Sequence, residues 1–144
     1  MTNIIIRPAD FKLDHQAIFA IRSTVFIEGQ DCPYPEEFDG LDDQSEHFLA
    51  VLDDQVVGYC RLRMVEEKAK LERFAVYEAH RGQGIGEALV KFLLNTLENR
   101  EVNETYLNAQ IQLKGWYETL GFKARGSLFF EAGIEHIAMY YAKE

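Results

Sequence analysis

The residues best suited to chemistry form a turn, Arg81-Gly82-Gln83-Gly84-Ile85-Gly86, between an extended segment and a helical repeat. Glycine lets a backbone adopt positive φ and approach a ligand closely. Free N–H groups at a helix start, with the positive end of the dipole, suit a phosphate or pyrophosphate. Arg81 adds a charge-assisted contact. A Walker A loop would end in Gly-Lys-Ser/Thr, but Gly86 is followed by Glu87 and Ala88. A dinucleotide-binding fingerprint spaces its glycines G-x-G-x-x-G after a first strand, whereas these alternate in mid-chain. The turn therefore reads as a phosphate site of neither type, against the plainer reading of a flexible connection with no ligand.

Other reactive side chains are scattered. Cys32 and Cys60 form no CxxC pair and have no activating base beside them. They fit buried or loop thiols in a reducing cytosol rather than a disulfide framework. Asp39, Asp42 and Asp43 lack calcium-loop spacing, and no His/Cys/carboxylate cluster argues for a metal. Residues 23–60 contain no Lys or Arg but hold Glu28, Asp31, Glu36, Glu37, Asp39, Asp42, Asp43, Glu46, Asp53 and Asp54. This run suggests a cationic partner, or simply a solvated acidic surface. The whole chain carries a net charge of −9, the opposite of a nucleic-acid footprint. No apolar run approaches the ~20 residues of a membrane span, and the first residues lack a leader's charge and apolar pattern. The expected location is the cytoplasm, without a membrane partner.

These residues need a frame. The chain has 144 residues, 47% of them hydrophobic and 27% charged, which suits one domain over residues 1–144. A strand over residues 4–8 leads to a helix with Ala17, Ile18, Ile21 and Val25 on one face, capped by Asp14. Residues 29–44 read as a long irregular loop containing Pro33, Pro35 and Gly40. A meander follows, with strands over residues 47–52, 55–65 and 70–77 and turns at Asp53-Asp54 and Glu66-Glu67-Lys68. Ile85, Ala88, Leu89, Phe92, Leu93 and Leu97 recur at helical spacing, predicting a helix over residues 84–100. Next come a strand over 105–109, a helix over 113–120 closed by Gly121, and strands over 122–130 and 134–141. The fold class is α/β in the broad sense, a mixed, mostly antiparallel α+β sheet flanked by helices.

The glycine turn then gains a specific resemblance. Arg81-Gly82-Gln83-Gly84-Ile85-Gly86 is similar to the R/Q-x-x-G-x-G/A motif of the GNAT N-acetyltransferase superfamily. Leu71-Glu72-Arg73-Phe74-Ala75-Val76 resembles the strand leading into it, and Trp116-Tyr117-Glu118-Thr119-Leu120-Gly121-Phe122 resembles the family's Y-E-x-x-G-F segment. Residues 22–30, Asp39-Gly40-Leu41-Asp42, His47, Leu107-Asn108-Ala109-Gln110 and residues 133–137 resemble the small bacterial ElaA-like and YjcF-like branch.

The resemblance implies a GNAT-like acyl-CoA N-acyltransferase fold with acetyl-CoA as donor and an amine-bearing acceptor. Backbone groups of Phe74, Ala75 and Val76 would meet the pantetheine as a neighbouring strand would. Gly82, Gln83, Gly84, Ile85 and Gly86, aided by Arg81, would hold the pyrophosphate. Many members carry Asn seven residues before the helix tyrosine; here that residue is Gln110, so Asn108 and Gln110 compete for the pantetheine contact. Tyr117 would be the general acid near the sulfur, unless it is a core aromatic beside Trp116 and Phe122. For the base, Glu72 on the motif strand stands first, with His47, His136, Glu28 and Asp39 as alternatives. Related proteins often form dimers, so a homodimer is compatible with the resemblance. The expected activity is direct acetyl transfer to a small cationic amine. The rival readings are a non-catalytic CoA sensor of the same fold and an interaction module using the acidic run.

Overall fold

A computed structural model describes residues 3–141. Strands β1 (Ile4–Pro8), β2 (Glu46–Leu52), β3 (Gln55–Val65), β4 (Lys68–Val76), β5 (Thr105–Gln110), β6 (Phe122–Glu131) and β7 (Ile134–Tyr141) form one sheet, ordered β1-β2-β3-β4-β5-β7-β6. All neighbours are antiparallel except β4 and β5. The hairpins turn where adjacent residues tolerate positive φ: Asp53-Asp54, Glu66-Glu67 and Ala132-Gly133.

Helices α1 (Phe11–Arg22), α2 (Tyr34–Glu37), α3 (Ile85–Asn99) and α4 (Lys114–Thr119) complete the fold. Two cores form, one on each face of the sheet. On one side Ile85, Leu89, Val90, Leu93 and Leu97 of α3 pack with Tyr117 of α4 over Phe48, Leu62, Leu71, Leu107 and Met139. Burying each large aliphatic side chain contributes about 1.5–3 kcal/mol before conformational entropy is counted. Helix α3 sits so low on β3 that a Cβ at Gly58 would lie 2.8 Å from Ile85. On the other side, Ile18 and Ile21 of α1 join Val25, Phe26, Leu49, Tyr59 and Ala75.

Two expectations need correction. Helix α1 is capped by Asp10, whose carboxylate accepts from the N–H groups of Lys12 and Leu13. Asp14 instead accepts two bonds from Arg7 at 3.0 Å, tying β1 to α1. The run over residues 29–44 is not irregular throughout: α1 continues as a π-helical segment, Ser23–Glu28, and α2 and a 3₁₀ turn at Asp42–Gln44 follow. Buried arginines below supply the missing order. Among the described residues, no helix is long and apolar enough to cross a membrane.

Candidate active site

Strands β4 and β5 pair at only two positions, Ala69↔Thr105 and Lys70↔Tyr106, and then part. Beyond Lys70 the β4 edge facing β5 has no ladder partner in the sheet. Its backbone is also bulged. The β3 register moves from Tyr59↔Ala75 to Arg61↔Glu72, and Arg73 takes φ 61°. A left-handed arginine costs about 1–3 kcal/mol and persists only where surroundings over-determine it. Here Arg73 reaches Glu37 at 3.0 Å and Asp39 at 3.2 Å.

The parted strands open a cleft of about 440 Å³. Glu72 and Phe74 line it from β4, Asn108 and Gln110 from β5, and Tyr117 from α4. Residues 30–39 and the β6–β7 turn close its rim, through Gln30, Cys32, Glu36, Glu131 and His136 among others.

The glycine turn follows the end of β4, and none of residues 75–86 lines the cleft itself. Gly82 and Gly84 have φ 79° and 81°, and Gly84 is the N-cap of α3. No side chain caps that helix, so its first N–H groups are available to an anion. A Cβ at Gly86 would lie 3.5 Å from Trp116. Trp116 thus bridges the turn to Tyr117, which reaches the cleft. Arg81 Nε donates to the Val76 carbonyl at 3.0 Å, pinning the turn to the end of β4. Ala75 points its side chain into the α1-side core and Val76 packs on the other core. Any contact they make with a ligand must therefore be through backbone.

Tyr117 is 6% exposed, and its ring packs edge-on against Trp116 and Phe122. Its hydroxyl makes no hydrogen bond among the described residues. Burial pushes the phenol up, with a smaller contribution from Cys60, so it stays protonated. Asn108 Nδ2 donates to Glu131 at 3.2 Å. Gln110 Nε2 donates to Gln30 at 3.0 Å, and its oxygen accepts from Gln112.

Glu72 sits among cations: Arg63 at 2.8 Å, Arg61 at 3.1 Å, Lys70 at 3.4 Å and Arg73 at 3.9 Å. Burial alone would raise its carboxyl, but the Arg63 hydrogen bond and the Arg61 and Lys70 charges outweigh it and hold it low. A carboxylate so stabilised has little affinity for a proton. His47 has both nitrogens engaged, Nδ1 by the Tyr59 hydroxyl at 2.6 Å and Nε2 by the Asp42 carbonyl at 3.0 Å. Glu28 is exposed and does not line the cleft. Burial and the Glu37 charge raise the Cys32 thiol, the reverse of what a nucleophile needs.

The acidic run is partly neutralised from within. Arg22 and Arg61 are fully buried. Arg22 binds Glu37 and Asp42, each at 2.7 Å; Arg61 binds Asp39 and Asp42, each at 2.9 Å; Glu46 pairs with Arg100. Sequence reasoning missed these arginines. The signal was their place just outside the base-free stretch, at Arg22 and at Arg61, Arg63, Lys70 and Arg73.

Comparison with known proteins gives this arrangement a family. The acetyltransferase (GNAT) domain matches residues 29–143. The chain belongs to this family and is an acyltransferase. It is similar to the N-acetyltransferase YjcF of Bacillus subtilis (strain 168), 34% identical over 122 residues, 84% of this chain and 87% of the relative. ElaA of Escherichia coli (strain K12) is 32% identical over 128 residues, 85% and 84% of the two chains. The ElaA crystal structure superposes with TM-score 0.83, covering 99% of this chain and 100% of that one. An acyl-CoA N-acyltransferase from Pseudomonas aeruginosa has TM-score 0.84 and 30% identity, with 99% and 100% coverage.

Proposed function

We propose that this chain transfers acetyl from acetyl-CoA directly to the amine of a small cationic acceptor. The carrying observation is the opening between β4 and β5, lined by an unbonded phenol, together with the glycine turn that follows β4. In this reading the pyrophosphate lies on the N–H groups at the start of α3, with Arg81 alongside. The pantetheine runs along the free edge of β4 at Phe74, Ala75 and Val76, and Asn108 and Gln110 face it from β5. The thioester then lies near Tyr117, whose hydroxyl donates to the departing sulfur. The cationic turn, β4 edge and phenol need no metal for this chemistry.

Gly84→Val tests the donor site. Nothing lies within 4 Å of a Cβ at Gly84, so the substitution acts through its φ of 81°, which valine strongly resists. Re-aiming the turn should cost hydrogen bonds to charged phosphate worth about 1.5–3 kcal/mol each. Acetyl-CoA affinity, measured by calorimetric titration, should fall about 10- to 100-fold. Equal affinity in the variant and the wild type would remove the pyrophosphate assignment.

The acceptor's charge follows from what remains unpaired. Of the carboxylates lining the cleft, Glu36 and Glu131 have no lysine or arginine partner among the described residues. They favour an amine bearing positive charge. CoA release should be faster with putrescine than with glutamate. The putrescine KM should rise with salt, because exposed charges are screened over about 8–10 Å at ordinary ionic strength. A preference for glutamate would reverse the acceptor assignment.

A further inference from the structure

We propose that His136 is the general base that takes the acceptor's proton. This rests on the transferase reading above and assigns a role which that reading leaves open. On β5, Leu107 and Ala109 face the α3 side; on β7, Ile137 and Met139 do the same. Alternation therefore sends Asn108, Gln110 and His136 to the opposite face, where α1 and the rim of residues 30–39 lie. Gln110 and His136 are register partners. Tyr117 belongs to the α3-side core, yet it and His136 line the same cleft. An acid from one face and a base from the other thus line one cleft where the sheet parts.

The imidazole is oriented for the task. Nδ1 lies 2.7 Å from the Ile134 carbonyl, which can only accept. Nδ1 therefore carries the hydrogen in the neutral ring, and Nε2 presents its lone pair. No described residue bonds Nε2. Phe129 stacks on the ring with centroids 5.9 Å apart, fixing its plane from β6. His136 is 7% exposed, so the ring is held rather than mobile. The rival groups facing the cleft are less suited. Glu37, Asp39 and Glu72 are bound to arginines, Glu36 is on the exposed rim, and Glu131 accepts from Asn108.

The step balances simply. His136 Nε2 takes one proton from the acceptor ammonium and passes it to water. The freed amine nitrogen bonds to the thioester carbon, the C–S bond breaks, and the sulfur takes the Tyr117 proton. The second proton that the nitrogen sheds returns to the phenolate through water.

The test uses full-length His136→Asn, whose amide can still donate to the Ile134 carbonyl, and His136→Gln as a second packing variant. Each is assayed with two nucleophiles: the alkylamine the wild type uses fastest, which is protonated at neutral pH, and hydroxylamine, which is not. With the alkylamine, turnover should fall about 10²-fold or more, and with hydroxylamine by only about two- to threefold. Acetyl-CoA affinity should be unchanged in both variants. Equal losses with both nucleophiles, or no loss with the alkylamine, would overturn the assignment while leaving the transferase intact. An alkylamine-selective loss in Glu131→Gln but not in His136→Asn would move the role to Glu131. A wild-type protein that acetylates neither nucleophile would instead refute the transferase reading, and this assignment with it.

Discussion

Arg61→Met should lower the melting temperature by roughly 10–20 °C, corresponding to about 3–5 kcal/mol for a chain of this size. Arg61 is fully buried on β3. Its Nη1 and Nη2 donate to the two oxygens of Asp39 at 3.0 and 2.9 Å, Nη1 also reaches Asp42 at 2.9 Å, and Nε donates to Glu72. Replacing this hub with methionine fills much of the space but leaves three carboxylates with one fewer cation. The damage should be uneven. Glu72 keeps Arg63 and Lys70, and Asp42 keeps Arg22, whereas among the described residues Asp39 keeps only Arg73. The rim containing Asp39 should loosen first, seen as faster amide exchange over residues 37–44 than in the sheet. Arg61→Lys should recover only part of the loss, because an ammonium cannot reproduce the two-pronged contact with Asp39. A melting temperature within about 2 °C of wild type would mean that the network contributes little net stability.

The same network sets an acid limit. Burial pulls the Asp39, Asp42 and Glu72 carboxyls up, but their arginine partners more than reverse this and hold all three below the ordinary range. Such groups contribute stability fully above the unfolded value near ~4, and lose it as pH falls toward their depressed folded values. Glu37 works the other way. Burial raises its carboxyl despite Arg73 and Arg22, so its contribution grows as pH falls through that raised value.

What was legible in the sequence was local. The apolar spacing from Ile85 to Leu97, with Gly84 before it, placed α3 to within a residue at each end. Asp53-Asp54 and Glu66-Glu67 marked hairpins whose turns do take positive φ. The expectations that missed were those decided by distant partners. Asp14 looked like a cap because its pairing with Arg7, across the β1–α1 junction, leaves no trace in helical periodicity. The rim over residues 29–44 looked irregular because its order comes from Arg22, Arg61 and Arg73 on other elements. At the site, motif spacing marked the glycine turn and Tyr117, but not where β4 leaves β5. Without that divergence, the cation cage around Glu72 and the free Nε2 of His136 could not be told apart as bases.

Tyr117→Phe should reduce acetyl transfer by about 10²-fold or more, the usual scale for a positioned acid. The phenol is buried on α4, lines the cleft and has no hydrogen-bond partner among the described residues. The ring is buried, while its oxygen keeps contact with the open cleft. That is the condition of a donor whose acceptor arrives with substrate. Removing only the oxygen keeps the edge-on contacts with Trp116 and Phe122. The melting temperature should therefore stay the same or rise slightly, and acetyl-CoA affinity should change little. A structural role predicts the opposite pair of results: a stability loss of about 1–3 kcal/mol with turnover nearly intact. Leaving-group dependence gives a second readout. A donor that carries a hydrogen bond or proton to sulfur matters less as the thiolate becomes a better leaving group. With acetylated aryl thiols accepted in place of acetyl-CoA, the gap between Tyr117→Phe and wild type should therefore narrow. If the gap is as wide with the aryl thioester as with acetyl-CoA, Tyr117 is not acting on the departing sulfur.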